Sequence, residues 1–237
     1  MAFNIQSMVA QKAKPLPIIL LLDGSSSMRD EPIAALNRAV SEMLETLKKE
    51  KTQVSEYLVT ILTFSGNGVQ TLCTCARPDE IDWQPIDVTG CTPLGAALTK
   101  ASEIIEDRDL TPSRAYRPLV VLICDGLPTD DWENPFELFC SQGRTSKCDR
   151  MALSVGKTPR SMLQRFVAGT GHEVFEASQA SEITKFFKCV TMTVVTRTRS
   201  KNPNLVPDEK KIMAKIERQE KSPAADEDLY DDTDEFF

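Results

Sequence analysis

The chain has 237 residues, 28 basic and 35 acidic, for a formal net charge of −7; that length accommodates one α/β domain of roughly 200 residues with a tail. Residues 226–237 hold Asp226, Glu227, Asp228, Asp231, Asp232, Asp234 and Glu235 with no Lys or Arg, which leaves a body of 28 acids against 28 bases and no basic cluster to neutralise nucleic-acid phosphates. Seven cysteines without a CxxC pair exclude a secreted disulfide framework and fit reduced thiols in a cytosol.

In chain order, residues 1–15 read as an N-terminal extension without the basic start, apolar run and cleavage site of a secretory signal. The run 17–22, with Leu16 ahead of it, is a short continuous apolar stretch closed by Asp23-Gly24, the pattern of a fully buried central strand. Over 31–49, Ile33, Leu36, Val40, Met43, Leu44 and Leu47 recur at helical spacing behind Pro32, which is tolerated in a first turn. Two β-rich runs, 57–64 and 69–75, flank Ser65-Gly66-Asn67-Gly68, a hairpin turn that predicts one antiparallel edge strand. A helix is expected over 93–106 and a second all-apolar strand over 118–124, again ending in Asp-Gly.

Further on, the pattern predicts a helix at 134–142, a strand at 150–155, a helix at 160–167, a strand at 172–176 and a helix from 179 to about 194. Such alternation implies an α/β fold, Rossmann-like and doubly wound, with a mainly parallel sheet and one antiparallel edge strand. The globular domain is expected over 16–196. Residues 197–237 then form a linker, a helix at 208–220 with Ile212, Met213 and Ile216 on one side, and an acidic disordered tail. No apolar stretch approaches the roughly 18 residues of a membrane span, so no membrane contact is expected and the location is read as cytoplasmic.

In an open parallel sheet, ligands sit beyond the carboxyl ends of the strands, where the strand order reverses. Three segments converge there: Asp23-Gly24-Ser25-Ser26-Ser27, Gly90-Cys91-Thr92-Pro93-Leu94-Gly95, and Asp125-Gly126-Leu127-Pro128-Thr129-Asp130. Together they offer hydroxyls and carboxylates, hard oxygen donors that suit Mg2+ or Mn2+ better than zinc. Each segment by itself is an ordinary turn, helix start or strand exit, and only their order makes a site.

The pattern Asp-x-Ser-x-Ser, Gly-x-Thr-Pro-Leu-Gly-x-Ala-Leu and Asp-Gly-x-Pro-Thr-Asp resembles the metal-ion-dependent adhesion site (MIDAS) of von Willebrand factor A (VWA) domains. The resemblance implies Ser25, Ser27 and Thr92 as hydroxyl ligands, with Asp23 and Asp125 as carboxylates acting mostly through water. It also implies a protein partner that supplies an acidic residue to the metal. As a small VWA chain it resembles the bacterial stand-alone TerY-like proteins of tellurite-resistance systems, which implies a signalling or scaffold role with a Ser/Thr kinase and a PP2C-type phosphatase.

No enzyme is expected. His172 is the single histidine and starts a predicted strand, which gives it a structural reading rather than one in a catalytic triad. An Mg-dependent phosphohydrolase with Asp23 as nucleophile needs a second Asp two residues on, where Ser25 stands. That chemistry, or an accessory role in a chelatase-like ATPase machine, is the alternative. A second metal among Cys73, Cys75, Cys140 and Cys148 is not expected, because free Cys is usually a small buried hydrophobe. In the acidic tail, Leu229, Tyr230, Phe236 and Phe237 stand among the acids as apolar anchors of a short motif that folds on binding.

Overall fold

Six strands form one sheet in the order β3-β2-β1-β4-β5-β6. The computed structural model describes residues 13–50, 55–156, 160–200, 202–221 and Phe236; the rest of the N-terminal extension and of the acidic tail lie outside the described residues. The strands are β1 (Lys14–Asp23), β2 (Ser55–Ser65), β3 (Gly68–Ala76), β4 (Leu119–Cys124), β5 (Asp149–Val155) and β6 (Val174–Ala177). β1 pairs in parallel with both β2 and β4, β4 with β5 and β5 with β6, while β3 runs antiparallel to β2 at the edge. This is the predicted doubly wound sheet.

The helices are α1 (Glu31–Lys49), α2 (Leu94–Glu106), α3 (Glu133–Ser141), α4 (Arg160–Val167), α5 (Ala180–Arg199) and α6 (Glu209–Lys221). Side chains alternate between the two faces of a strand, so β1 feeds two cores. Ile18, Leu20 and Leu22 pack with α1 and α5 residues such as Leu36, Val40, Phe186 and Val190. Ile19 and Leu21 pack with Leu98, Ile105, Phe139 and Phe166 of α2, α3 and α4. Every described residue of β4 is buried, which explains why β1 and β4 are apolar without alternation: both faces are covered.

Several boundaries differ from the sequence expectation, each for a physical reason. β1 begins at Lys14, where it pairs with β2 alone: Pro15 and Pro17 precede the ladder with β4, which starts at Ile18, and the Pro15 carbonyl accepts from Tyr116 N at 2.8 Å. His172 is not in a strand; β6 starts two residues later, after a turn through Gly169 and Gly171, both with positive φ. α5 runs on to Arg199, past the expected domain end at 196, because its last turn is polar yet buried. Arg197, 1 % exposed, donates from Nε to Pro203 O (2.8 Å) and from Nη2 to Arg117 O (2.6 Å).

The region expected as a linker is therefore packed on the body, and α6 adds Ile212 and Ile216 to the α1/α5 core. Phe236, expected in a disordered tail, is fully buried in the same core, and its carbonyl accepts from Asp208 N at 2.8 Å.

A charged cluster joins these parts. His172 sits between two carboxylates, with Nδ1 against Glu209 Oε1 at the start of α6 and Nε2 2.9 Å from Asp149 Oδ1. The second contact is an ion pair that lies off the N–H axis, since neither atom makes a well-aligned hydrogen bond. Asp149 Oδ2 also lies 3.5 Å from Arg197 Nη1. Burial pulls the imidazole pKa down, but the close contacts and charges of Asp149 and Glu209 outweigh it and raise His172 to about 9 from 6.5. A raised folded-state pKa stabilises the fold fully below the unfolded value and loses its effect as pH climbs to the folded one. We therefore expect the stability difference between wild type and His172→Gln to be largest below pH 6.5, on the order of 3 kcal/mol, and to vanish through about pH 9. Urea midpoints of both proteins across that window check it; a constant difference would remove the imidazolium from the account.

Candidate metal centre

β1 and β4 are neighbours whose outer connections run to opposite sides, so the crevice at their carboxyl ends is the reversal point of the sheet. Asp23 is the last residue of β1, and Asp125 follows the last residue of β4. Both carboxylates are withdrawn from solvent, Asp23 fully and Asp125 to 8 %. A carboxylate needs donors when buried. For Asp23 these are Ser25 N, which donates to Oδ1 at 2.8 Å, and Asp125 N, which points to Oδ2 at 3.3 Å. For Asp125 they are two hydroxyls: Ser25 Oγ and Ser27 Oγ donate to Oδ1 at 3.2 and 2.7 Å.

The two serine hydroxyls are themselves 3.0 Å apart. Ser25 Oγ, Ser27 Oγ and Asp125 Oδ1 thus form a triangle with edges of 3.0, 3.2 and 2.7 Å. Hard oxygens gathered within hydrogen-bond reach of one another, with no His or Cys among them, are the donors that hard divalent cations take. The donor set fits a hard divalent cation. The electrostatics point the same way: burial pushes the Asp23 carboxyl up to about 6, and the Asp125 charge adds to that, against the pull of the Ser25 hydrogen bonds. Two carboxylates forced together out of water attract a cation.

Thr92 reaches this end of the sheet through its loop. Gly90 O accepts from Ser26 N at 3.1 Å, and Thr92 exchanges contacts with Thr129, its N–H to Thr129 Oγ1 and its carbonyl from Thr129 N, both at 3.0 Å. Thr92 is buried, Ser27 exposed. The structure thus joins Asp23, Ser25, Ser27 and Asp125 by direct hydrogen bonds and brings Thr92 to the same end of the sheet through its backbone. The helix starts one residue later than the expected 93: Pro93 takes the cap position of α2, and it offers no side-chain cap. Asp130 does the capping from across the crevice, its carboxylate accepting from Gly95 N at 3.1 Å and Ala96 N at 2.9 Å, where the helix dipole favours negative charge. The terminal Asp of Asp-Gly-x-Pro-Thr-Asp was the available signal for that role.

Among the described residues no group of three or more His, Cys, Asp or Glu side chains is arranged for a metal elsewhere. His172 lies at the opposite end of the sheet, tied up in its ion pairs.

The loops meet at a glycine contact. A Cβ on Gly90, whose φ is +59°, would lie 2.5 Å from Gly66 Cα, and one on Gly66 would lie 2.7 Å from Gly90 Cα. Gly66 N also donates to Thr89 O. Gly90→Ala should therefore strain both the backbone and the packing and push the Thr92 loop outward, costing about 2 kcal/mol or more. Thermal unfolding checks the cost, and a wild-type midpoint would contradict it.

Residues 18–127 match the family model described as the von Willebrand factor type A domain. No curated protein sequence matches the chain. Among solved structures, proximal thread matrix protein 1 from the mussel byssus is 18% identical with a TM-score of 0.60, covering 76% of this chain and 48% of its own. A further crystal structure of that protein is described as having a zinc-occupied MIDAS motif, at 16% identity and a TM-score of 0.56. The ArnB paralog VWA2 from Sulfolobus acidocaldarius is 16% identical with a TM-score of 0.58, over 76% of this chain and 45% of its own. The SpRpn10 VWA domain is 13% identical with a TM-score of 0.53, over 72% of this chain and 94% of its own. The chain spans about half the length of the first two. These likenesses show the fold, which is that of VWA domains, and residues 18–127 carry the family's sequence pattern.

Proposed function

We propose that this VWA domain binds one Mg2+ or Mn2+ at the carboxyl ends of β1 and β4 and uses it to grip an acidic residue of a partner protein, without catalysis. The observation that carries the reading is the triangle of Ser25 Oγ, Ser27 Oγ and Asp125 Oδ1 beside the buried Asp23. In this reading Ser25 and Ser27 ligate directly, Thr92 or Asp125 takes a further position, and Asp23 holds a metal-bound water. The cation supplies positive charge for an incoming carboxylate. Two protein carboxylates balance that charge, and water between them and the cation keeps it attractive.

The rim supports a docking role. Leu127, two residues past Asp125, is 67% exposed, so an apolar contact stands beside the charge that would orient a partner. Ser25 occupies the position where a phosphohydrolase places its general acid, and the single histidine is held by two carboxylates at the far end of the sheet. An all-oxygen donor set without His or Cys favours Mg2+ or Mn2+ here, although the mussel protein is described with zinc in its MIDAS. For the setting, we favour a cytoplasmic signalling or scaffold role of the tellurite-resistance type, with a Ser/Thr kinase and a PP2C-type phosphatase as partners.

Titration calorimetry with MgCl2 and MnCl2 should show a single site that Asp125→Ala and Ser27→Ala weaken by at least about tenfold, one lost charge-assisted ligand being worth 1.4 kcal/mol or more. Leu127→Ala should leave metal affinity unchanged and weaken capture of an acidic partner. Undiminished metal binding in Asp125→Ala would sink the site. Turnover of an aryl phosphate with Mg2+, abolished by Asp23→Ala, would replace docking by hydrolysis.

A further inference from the structure

At the opposite end of the sheet, by the amino ends of β4 and β5, a cavity of about 670 Å³ is lined by Arg108, Arg117, Arg144 and Lys147 together with Ser146 and Thr170. None of its lining residues is acidic. Arg144 is half-buried and held in place, donating to Ile105 O and to Thr111 O. Arg108, Arg117 and Lys147 are exposed, and their side chains form no ion pair among the described residues. Four cations around one opening with no anion in its wall call for an anionic ligand.

A second cavity at this end, about 610 Å³, is lined by Phe236, Phe175, Val206 and Met213 together with the acids Glu173, Asp208 and Glu209. The two openings are lined by consecutive stretches of the chain: Gly169 and Thr170 line the basic one and Gly171 and Glu173 the other, and likewise Asn204 lines the first and Val206 and Pro207 the second. Phe236 is fixed there by its buried ring, by the hydrogen bond from Asp208 N and by the Lys215 ammonium 5.2 Å from the ring centroid. The five residues before it in sequence are Asp231, Asp232, Thr233, Asp234 and Glu235. At no more than 3.6 Å per residue they reach about 17 Å from the anchor, enough to pass from one opening to its neighbour.

We propose that the acidic stretch 226–235 of this chain is the ligand of the basic cavity, delivered by the Phe236 anchor. The charge distribution fits: the body is neutral, and all of the net charge of −7 sits in the segment attached to this anchor. Tethering supplies a high local concentration, so individually weak, salt-screened contacts suffice. The attachment is an acidic-peptide site separate from the metal centre and independent of the reading of that centre.

Hydrogen exchange of 226–235 in the full chain tests this, with the β1 and β4 peptides as internal controls. At low salt, about 20 mM, the stretch should exchange at least about tenfold more slowly in wild type than in Arg108→Glu/Lys147→Glu, and about 0.5 M NaCl should bring wild type to the variant's rate. Neutralising the segment itself, by Asp231→Asn, Asp232→Asn, Asp234→Asn and Glu235→Gln, should release it equally and leaves the cavity untouched. Equal low-salt exchange in wild type and both variants would overturn the proposal. So would protection that survives charge reversal but is lost in Asp125→Ala, which would place the acids on the metal centre. Protection that rises with protein concentration would assign the contact to a second copy and also overturn it.

Discussion

The structure turns on two carboxylates at the ends of adjacent buried strands. Strands β1 and β4 have apolar side chains on both faces, so they lie in the middle of the sheet, and their neighbouring carboxyl ends bring Asp23 and Asp125 together. The nearby backbone and hydroxyl donors offset part of the cost of that burial, yet the Asp23 carboxyl remains pushed upward. The surrounding loops are built to hold this unfavourable pair. The Gly66–Gly90 contact lets the hairpin and the Thr92 loop close over β1, and Asp130 pins the start of α2. Removing side-chain bulk at one point and adding a charge at another serve the same end.

The other end of the sheet solves the opposite problem. There Asp149, Glu209, His172 and Arg197 balance one another's charge in a buried cluster that ties β5, α5 and α6 to one turn. A buried cluster of this kind gives little net stability against an apolar replacement, but breaking it leaves an uncompensated charge. Its effect is positional: it fixes where α6 begins, and through Asp208 it fixes the carbonyl of Phe236.

The sheet, five of the six strand positions and the α1 boundaries were legible from periodicity, because continuous apolar runs and a 3.6-residue repeat are direct consequences of burial on two faces or one. Residue type and order also singled out Asp23, Ser25, Ser27, Thr92 and Asp125 as candidate oxygen donors, of which Asp23, Ser25, Ser27 and Asp125 are joined by direct hydrogen bonds. What stayed hidden depends on distant partners. Arg197 and Thr198 look like the start of a polar linker, yet Asp149, Pro203 and Arg117 hold the first inside and Tyr57 and Val195 the second. Asp130 reads as a loop acid until the helix it caps is placed beside it. Phe236 in an acidic run carries the composition of disorder, and the groove that buries it is assembled from residues more than 20 positions away.

The two ends also constrain each other. If the metal centre takes a carboxylate from outside its own ligand set, the seven acids of the tail are one source within the chain, and the Phe236 anchor bears on whether they serve. Phe236 is held beside the turn that leads into β6, at the amino end of the parallel strands, and β5 and β4 separate β6 from β1. Reaching the metal centre means crossing three strand spacings of about 4.8 Å and the roughly 20 Å length of a strand such as β4, around the outside of the helices. The five residues next to the anchor, at about 17 Å, fall short. The more distant acids, Asp226 to Asp228, would need a nearly straight chain, which carries a conformational entropy cost for every residue held extended. That cost weighs against the tail as a source for the metal centre and agrees with the proposal that the metal would take its acid from a partner.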